Sequence, residues 1–393
     1  MIDDIATGGM AQIYRVRHEA DPSKVFALKC IRPDCDEDPE FRRMLLDEAR
    51  IIERLGHPNI NRVLEVVRAR GRVALLLEYV HGLDLVGLKR HLRNRSRVLA
   101  IPLVLHIVRE VLSALDFAHH AVGADGKPLS IVHRDVSPGN VMVDIQGRII
   151  LIDFGIARAH GRLAQTEVGS VKGKFRYMAP EQIKGGDIGA GADIYAAGIM
   201  LWELLSGRRI HDDVAVAQLM MRVAKAEVPS LTEARKGVPE GLCRAYSRAT
   251  ALVPQARFPT ARDFSDALTE FMDNYDASTC QEALSDLALE ALGSGHKKDY
   301  EQAVVRARRA KQDDLEGAIL SALEEPDRVE PMQAAIHDVP RAERSGARTP
   351  PPPPLDDFDD EDVTEFDPVT PPVVGGVPKV SMPRSASNPV DVD

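Results

Sequence analysis

Residues 133–155, HRDVSPGNVMVDIQGRIILIDFG, constrain the fold of this chain more than any other segment of its sequence. Two polar loops, around Asp135 and Asp153, are separated by two short apolar stretches with a Gln-Gly pair between them. Apolar runs joined by such a turn predict a β-hairpin. Asp135, Asn140 and Asp153 carry oxygen ligands of the kind that Mg²⁺ prefers. Each alone could be a loop cap or a turn former, but together with the hairpin they predict a site for phosphate chemistry.

The segments before and after this site predict an α+β fold. QIYRVRH and VFALKCI alternate apolar and polar residues, and RVLEVVRARGRVALLLEYV predicts two further strands about Gly71. FRRMLLDEARIIERL has helical spacing and ends at Gly56-His57-Pro58. Long amphipathic helices follow, including IPLVLHIVREVLSALDFAHHA and ADIYAAGIMLWELLSG. A small sheet followed by a helical remainder predicts two lobes with a cleft between them.

Lys29 lies within the apolar run FALKCI, where an unpaired ammonium group would be costly. Glu48, beside the apolar stripe of the following helix, can supply the anion that Lys29 needs. A lysine held in this way can position the α- and β-phosphates of ATP. Considered without Lys29, Glu48 would be interpreted as a surface glutamate.

These motifs occur in the order found in the eukaryotic-like serine/threonine protein kinases of bacteria, which the first ~270 residues resemble. The order is Lys29, Glu48, HPN (57–59), HRDVSPGN, DFG (153–155), APE (179–181), Asp193 and Arg257. The resemblance implies a bilobal α+β protein kinase fold, with a β-rich N-lobe (about 1–80) and a helical C-lobe (about 81–274). Small-molecule kinases share only the first half of this order and are the minor alternative.

The resemblance also implies a role for each site residue. Asp135 would orient the substrate hydroxyl, Lys29 held by Glu48 would position phosphates, and Asn140 and Asp153 would bind Mg²⁺, or Mn²⁺ in its place. The implied ATP-binding residues are Ala6, Gly8, Ile13, Ala27, Lys29, Leu77 as gatekeeper, Glu78 and Val80 of the hinge, and Met142. Only the middle glycine of the family's glycine loop, Gly8, is present, so that loop alone is also compatible with a plain hairpin turn.

Further contacts follow from the same resemblance. Glu181 and Arg257 should form a buried ion pair, and Asp193 should accept hydrogen bonds from backbone N–H groups of the catalytic loop. The internal stack between the lobes should contain Ile52, His133 and Phe154.

One departure from the family concerns a lysine. The family places lysine two residues after the catalytic aspartate and threonine in the segment before APE; this chain has Ser137 and Lys174 at those positions. We interpret this as a reciprocal swap, in which Lys174 contacts the transferring phosphate and Ser137 supplies the hydroxyl partner. The alternative is an exposed Lys174 and a decayed Ser137.

The chain is expected to be an ATP-dependent serine/threonine protein kinase that also phosphorylates itself and acts in signal transduction. Thr166 and Ser170 are the predicted activation-loop sites, with Arg134 as the phosphate partner. The rival is a pseudokinase that binds nucleotide as a signalling scaffold. Met1 falls only a few residues before the glycine loop, so either the first strand is short or the true start lies upstream.

Composition sets the remaining expectations. A formal net charge of −10 argues against nucleic acid as the main partner, and no apolar run approaches the roughly 20 residues of a membrane span. We therefore predict a cytoplasmic protein with protein substrates and reduced cysteines. Residues 275–345 predict a helical extension on the large lobe or a separate binding module. The Pro-rich acidic tail, 346–393, predicts disorder; it could bind a phosphothreonine-reading or basic partner, but a featureless solubilising role is favoured.

Overall fold

The N-terminal part is an antiparallel five-stranded sheet in the order β1-β2-β3-β5-β4. The computed structural model of the chain describes residues 3–7, 11–18, 21, 24–31, 55–69, 72–123, 125–154, 173, 175–212, 214–272 and 276–293. The strands are β1 (Asp3–Thr7), β2 (Ala11–Arg17), β3 (Val25–Ile31), β4 (Val63–Ala69) and β5 (Arg72–Glu78).

Strand β3 has a buried face and a half-buried face, as the alternation in VFALKCI predicts. Ala27, Lys29 and Ile31 lie on the buried face, and the two apolar residues among them pack against Leu75 and Leu77 of β5. Lys29 is therefore the one charged side chain on this buried face of β3. Its position on a rigid central strand fixes where its ammonium group can reach.

A second, three-stranded sheet follows in the order β6-β7-β8. Its strands are β6 (Gly82–Asp84), β7 (Val141–Asp144) and β8 (Ile149–Leu151). The predicted hairpin is thus confirmed as β7 and β8. Asn59 joins this sheet to the segment before β4: its amide Nδ2 donates to the Ile149 carbonyl at 2.8 Å, and its carbonyl accepts from the Leu151 N–H at 2.7 Å.

The C-terminal part is helical. Its helices are α1 (Leu85–Asn94), α2 (Ile101–His119), α3 (Pro180–Lys184), α4 (Ala190–Ser206), α5 (Val216–Ala224), α6 (Leu231–Ala234), α7 (Glu240–Ala249), α8 (Ala261–Thr269) and α9 (Ala277–Leu292). Every residue of α4 from Ala192 to Leu205 is buried, which is typical of a helix at the centre of a core. Helix α4 ends at Gly207, whose φ of 67° suits a left-handed cap.

Helix α9 packs on this core through one apolar face. Cys280, Leu284, Leu287 and Ala288 are buried, at the spacing of one helical stripe, and the helix contacts α1, α2, β6 and β7. Helix α9 covers part of the region predicted as a helical extension. The boundary between that extension and the kinase domain stays a prediction.

Several predicted features lie outside the described residues: the glycine loop (8–10), Glu48, Ile52, the activation loop (155–172), Lys174 and residues 294–393. Within the described ranges, no helix combines the length and apolar character that a membrane span requires. Cys243 and Cys280 are free thiols.

Candidate active site

The catalytic loop is held by hydrogen bonds within the segment HRDVSPGN. Residues Pro138–Asn140 form a turn of 3₁₀ helix, and the Asn140 backbone N–H donates to the Ser137 carbonyl at 2.9 Å. The Asn140 amide Nδ2 donates to the Asp135 carbonyl at 2.8 Å. This bond occupies the amide nitrogen of Asn140, so the amide oxygen is the atom that remains for a cation.

The carboxylate of Asp193, on α4, anchors the start of this loop. Its two carboxylate oxygens accept the backbone N–H groups of His133 and Arg134, both at 2.8 Å. Arg134 has a φ of 66°, a left-handed conformation that costs a non-glycine residue about 1–2 kcal/mol. The predicted contacts of Asp193 are confirmed, and they stabilise a strained backbone at the catalytic loop.

His119, at the end of α2, completes the anchor. Its Nε2 lies 2.8 Å from Asp193 Oδ2, and both side chains are buried. Burial alone would raise the pKa of Asp193, but the hydrogen bond and charge of His119, together with His133, hold that pKa below its ordinary value. Asp193 is therefore ionised at neutral pH although it is 1% exposed.

His133 links the catalytic loop to the aspartate that follows β8. Its ring contacts the Phe154 ring at an interplanar angle of 46°, with centroids 4.6 Å apart, and this contact was predicted for the internal stack. Its Nδ1 accepts the Asp135 backbone N–H at 3.3 Å, and its Nε2 lies 3.1 Å from the Ile152 carbonyl. Burial lowers the pKa of His133, so the ring is the neutral tautomer with its proton on Nε2.

Lys29 and Asp153 meet across the site. Lys29 Nζ lies 3.0 Å from Asp153 Oδ1, and Lys29 is 9% exposed. Asp153 has a φ of 55°, a conformation that recurs where backbone strain serves function. The predicted partner Glu48 lies outside the described residues, so its pairing with Lys29 stays a prediction. The contact between Lys29 and Asp153 thus joins the candidate for positioning phosphates to a candidate metal ligand.

A cavity of about 660 Å³ lies between the five-stranded sheet and the helical part. Six of the predicted ATP-binding residues line it: Ile13, Ala27, Leu77, Glu78, Val80 and Met142. Strand register explains part of this grouping, because Ala27 pairs with Leu77 across β3 and β5. The volume and the mostly apolar wall suit a nucleotide base. Ala6 lies on β1 and pairs with Ile13, while Gly8 lies outside the described residues.

The donor set around Asp153 fits a magnesium ion. Asp153 lines the cavity, and the amide oxygen of Asn140 and the carboxylate of Asp153 are both hard ligands. Within the described ranges, no cluster of three or more His, Cys, Asp or Glu side chains could hold a metal. Mg²⁺ in nucleotide sites is bound by one or two protein oxygen ligands together with phosphate oxygens and water, and Asn140 and Asp153 match that pattern.

The predicted pair of Glu181 and Arg257 is confirmed and is bidentate. Arg257 Nη1 lies 2.6 Å from Glu181 Oε1, and Nη2 lies 2.8 Å from Oε2. The Arg257 guanidinium also donates to the carbonyls of Gly191 and Ala251, at 2.7 and 2.8 Å. The APE segment is thereby fixed to the helical core.

The APE segment also reaches the catalytic loop. Gln182 Nε2 donates to the Arg134 carbonyl at 3.1 Å, and Gln182 Oε1 accepts the Ala179 N–H at 2.8 Å. Lys174 lies eight residues before Gln182 in this chain but outside the described residues, so the proposed swap with half-buried Ser137 stays a prediction.

Sequence reasoning missed several residues that shape the site. These are Asp84, His119, Gln182, and the cavity residues Asn61 and Gly139. The Asp84 carboxylate accepts the Gly87 N–H at 2.7 Å and caps α1 beside the cavity. A signal existed for His119, because it ends an apolar helix 14 residues before His133. Asp84 precedes a helical pattern and is a residue type preferred for capping.

Comparisons with known proteins agree with this geometry. The protein kinase domain family matches residues 1–285. The tyrosine-protein kinase MasK of Myxococcus xanthus is 36% identical over 280 residues, which is 70% of this chain and 43% of MasK. The serine/threonine-protein kinase PrkC of Bacillus subtilis is 34% identical over 268 residues, 68% of this chain and 39% of PrkC.

Solved structures give the same result. The crystal structure of the Mycobacterium tuberculosis PknI kinase domain matches with a TM-score of 0.52 and 31% identity, over 68% of this chain and 93% of that domain. The chain spans less than half the length of the two curated relatives above. The predicted protein kinase fold and the resemblance to bacterial serine/threonine kinases are confirmed. This chain belongs to the protein kinase family.

Proposed function

We propose that the chain is an ATP-dependent protein kinase that transfers the γ-phosphoryl group to serine or threonine hydroxyls of protein substrates. The observation that carries this proposal is the 3.0 Å contact of Lys29 with Asp153, because Asp153 lines a cavity together with six of the predicted ATP-binding residues. Further support comes from the catalytic loop, where the Asn140 amide donates to the Asp135 carbonyl and the Asn140 carbonyl accepts the N–H of Ile152, the residue before Asp153, at 2.9 Å.

Each residue has a defined role in the proposed transfer. Lys29 binds phosphate oxygens with its ammonium group, and Asp153 and Asn140 are the residues that would hold a divalent cation. The Asp135 carboxylate orients the substrate hydroxyl and takes its proton as the oxygen forms a bond to the γ-phosphorus. The bond between that phosphorus and the β-γ bridging oxygen breaks, and ADP leaves. A cation held by Asp153 and Asn140 would supply positive charge to stabilise the transferring phosphoryl group.

Nucleotide binding and transfer test this proposal together. We expect the purified chain to bind ATP with Mg²⁺ and to incorporate γ-phosphate, either into itself or into a generic basic protein. Lys29→Met should weaken ATP binding at least about tenfold, because charge-assisted contacts to phosphate are lost, while the fold remains intact. An exposed lysine variant, Lys24→Met, is the matched control and should bind as the wild type does.

Two rival outcomes are distinguishable in the same assay. ATP binding without any transfer would favour the pseudokinase, a nucleotide-binding scaffold. Transfer to tyrosine is favoured by a specific finding, the 36% identity to a protein named as a tyrosine kinase. Phosphoamino-acid analysis separates the two acceptor classes, and we expect phosphoserine and phosphothreonine.

The exchange of Ser137 and Lys174 is part of the proposal. Loss of a positive charge beside a transferring phosphoryl group should cost about 2–4 kcal/mol of barrier, and Lys174 would restore that charge. Its support is the contact of the nearby APE segment with the catalytic loop through Gln182. We expect Lys174→Met to abolish turnover with ATP binding nearly unchanged. Normal turnover in that variant would contradict the swap.

The proposed kinase function also carries expectations for the phosphorylation sites of the chain, for its metal ion and for its location in the cell. Autophosphorylation should map to Thr166 or Ser170, and phosphate found only in residues 346–393 would contradict this. Mg²⁺ is the expected cation, with Mn²⁺ as its substitute, and the cytoplasm is the expected location.

A further inference from the structure

We propose that helix α9 forms a wall of the nucleotide cavity, so that Leu292 contacts the bound nucleotide and Glu290 is the positioning residue for that wall. This inference rests on the proposed function. The family order of motifs does not include this helix, and its sequence signals no ligand.

The C-terminal end of α9 borders the cavity directly. Ala291 and Leu292 line it, as do Ile5 and Ile13 of the five-stranded sheet. Leu292 is half-buried, as expected for a side chain that borders a cavity rather than the core. The described part of the helix ends at the next residue, Gly293, whose φ of 83° terminates α9 beside the cavity.

Glu290 ties this end of α9 to α1 and the loop that follows α1. Its Oε1 lies 3.0 Å from Arg95 Nε and 3.3 Å from His91 Nε2, and its Oε2 lies 3.0 Å from Arg97 Nη1. Arg95 Nη1 lies 3.1 Å from His91 Nδ1. Because arginine can only donate, His91 Nδ1 is the acceptor and the ring proton is on Nε2, which lies near Glu290 without forming a hydrogen bond.

The donors that meet Glu290 lower its pKa, with the Arg97 hydrogen bond as the largest cause. The carboxylate is therefore charged under all ordinary conditions. His91 lines the cavity as well, so the cluster of Glu290, His91, Arg95 and Arg97 joins two elements of the same wall. We call this set the Glu290 clamp.

The N-terminal half of α9 is held by a second, independent set of contacts. Ser285 Oγ donates to the Ile145 carbonyl at 2.7 Å, and Gln281 Nε2 donates to the Gln146 carbonyl at 3.0 Å. The turn of the β7–β8 hairpin approaches the α9 backbone so closely that a Cβ at Gly147 would overlap the Gln281 carbonyl oxygen. Loss of the clamp should therefore loosen only the cavity end of the helix.

The first test measures ATP binding and kinetics in the full chain. Glu290→Ala should raise both Kd and KM for ATP about three- to tenfold, as expected from losing several partly exposed ion pairs, with kcat changed less than about twofold. Glu282→Ala is the matched control, because Glu282 is an exposed acid on the same helix outside the clamp. An equal shift in both variants, or a loss of kcat without a change in KM, would overturn the inference.

The second test locates the nucleotide and does not depend on the stability of the clamp variant. In Leu292→Cys, saturating ATP and Mg²⁺ should slow maleimide modification of the new thiol at least about fivefold, measured by peptide mass spectrometry. In Glu282→Cys the rate should not change. Equal modification rates for Leu292→Cys with and without ATP, in a chain that binds ATP, would overturn the wall and leave the proposed kinase function standing. A wild-type chain that binds no ATP would instead refute the proposed function.

Discussion

Replacing Asp193 with asparagine should destabilise the helical core and loosen the catalytic loop at the same time. Asp193 Oδ2 accepts from two partners, the His133 N–H and His119 Nε2, whereas Oδ1 accepts from the Arg134 N–H. The least costly orientation of the substituted amide keeps its oxygen toward the first two partners and places its NH₂ group against the Arg134 N–H. The substitution thus leaves one buried donor unsatisfied and removes the negative charge from the other two bonds.

The magnitude follows from these contacts. An unsatisfied buried donor costs about 1–3 kcal/mol, and charge-assisted hydrogen bonds are about twice as strong as neutral ones. Relief of the burial of a charge offsets part of this loss. We expect the free energy of unfolding to fall by about 2–4 kcal/mol, which corresponds to a decrease in Tm of roughly 5–10 °C for a domain of this size.

The kinetic consequence concerns Arg134, whose φ of 66° is stabilised by Asp193. Without that anchor the loop should relax and misplace Asp135, so kcat should fall more than ATP affinity. The assay is urea and thermal unfolding followed by circular dichroism, with phosphate transfer measured on the same preparation. Asp266→Asn, at an exposed position on α8, is the control and should change stability by less than about 0.5 kcal/mol. A Tm of Asp193→Asn within about 1 °C of wild type, at full activity, would refute the reasoning.

Two further predictions concern stability. Arg257→Met should cost about 3–5 kcal/mol of unfolding free energy, because it leaves the Glu181 carboxylate without its partner in the interior. Arg244→Met, which breaks an exposed ion pair, is the control and should cost less than about 1 kcal/mol. Equal urea midpoints for the two variants would contradict this prediction. The free energy of unfolding should also fall below about pH 6.5. Burial lowers the pKa of His133 from 6.5, so the unfolded chain binds this proton more tightly than the folded chain does. The stabilisation from a neutral His133 is therefore complete only above that pH. The depressed pKa of Asp193 acts in the same direction at lower pH, and urea midpoints that rise from about pH 7.5 to about pH 5.5 would show that the sign is wrong.

Local residue patterns were sufficient to predict much of the fold and the catalytic loop. Alternation in VFALKCI predicted strand β3, and the apolar runs around Gln146 and Gly147 predicted the β7–β8 hairpin, because both patterns depend only on neighbours in sequence. The pairing of Glu181 with Arg257 was also predicted, but only through the resemblance. Periodicity alone gives no partner for a charge 76 residues away.

The contacts that could not be predicted all depend on how distant elements pack. His119 was not recognised as the partner of Asp193, since a histidine at a helix end has many possible neighbours. The residues of α9 were predicted to be helical, but nothing in the sequence predicted that the end of this helix would meet the cavity near His91. Leu292 looks like any helical leucine in the sequence, and only the packing of α9 on α1, α2, β6 and β7 brings it to the cavity.

The most direct test of the central claim is phosphate transfer from γ-labelled ATP with Mg²⁺, comparing the full chain with Asp135→Asn. The two side chains have nearly the same shape, so ATP binding should be unchanged while transfer falls about 10²–10⁴-fold, the range expected for loss of a general base. Gln146→Asn, on the hairpin turn away from the cavity, should transfer as the wild type does. Transfer by Asp135→Asn at the wild-type rate would contradict the account.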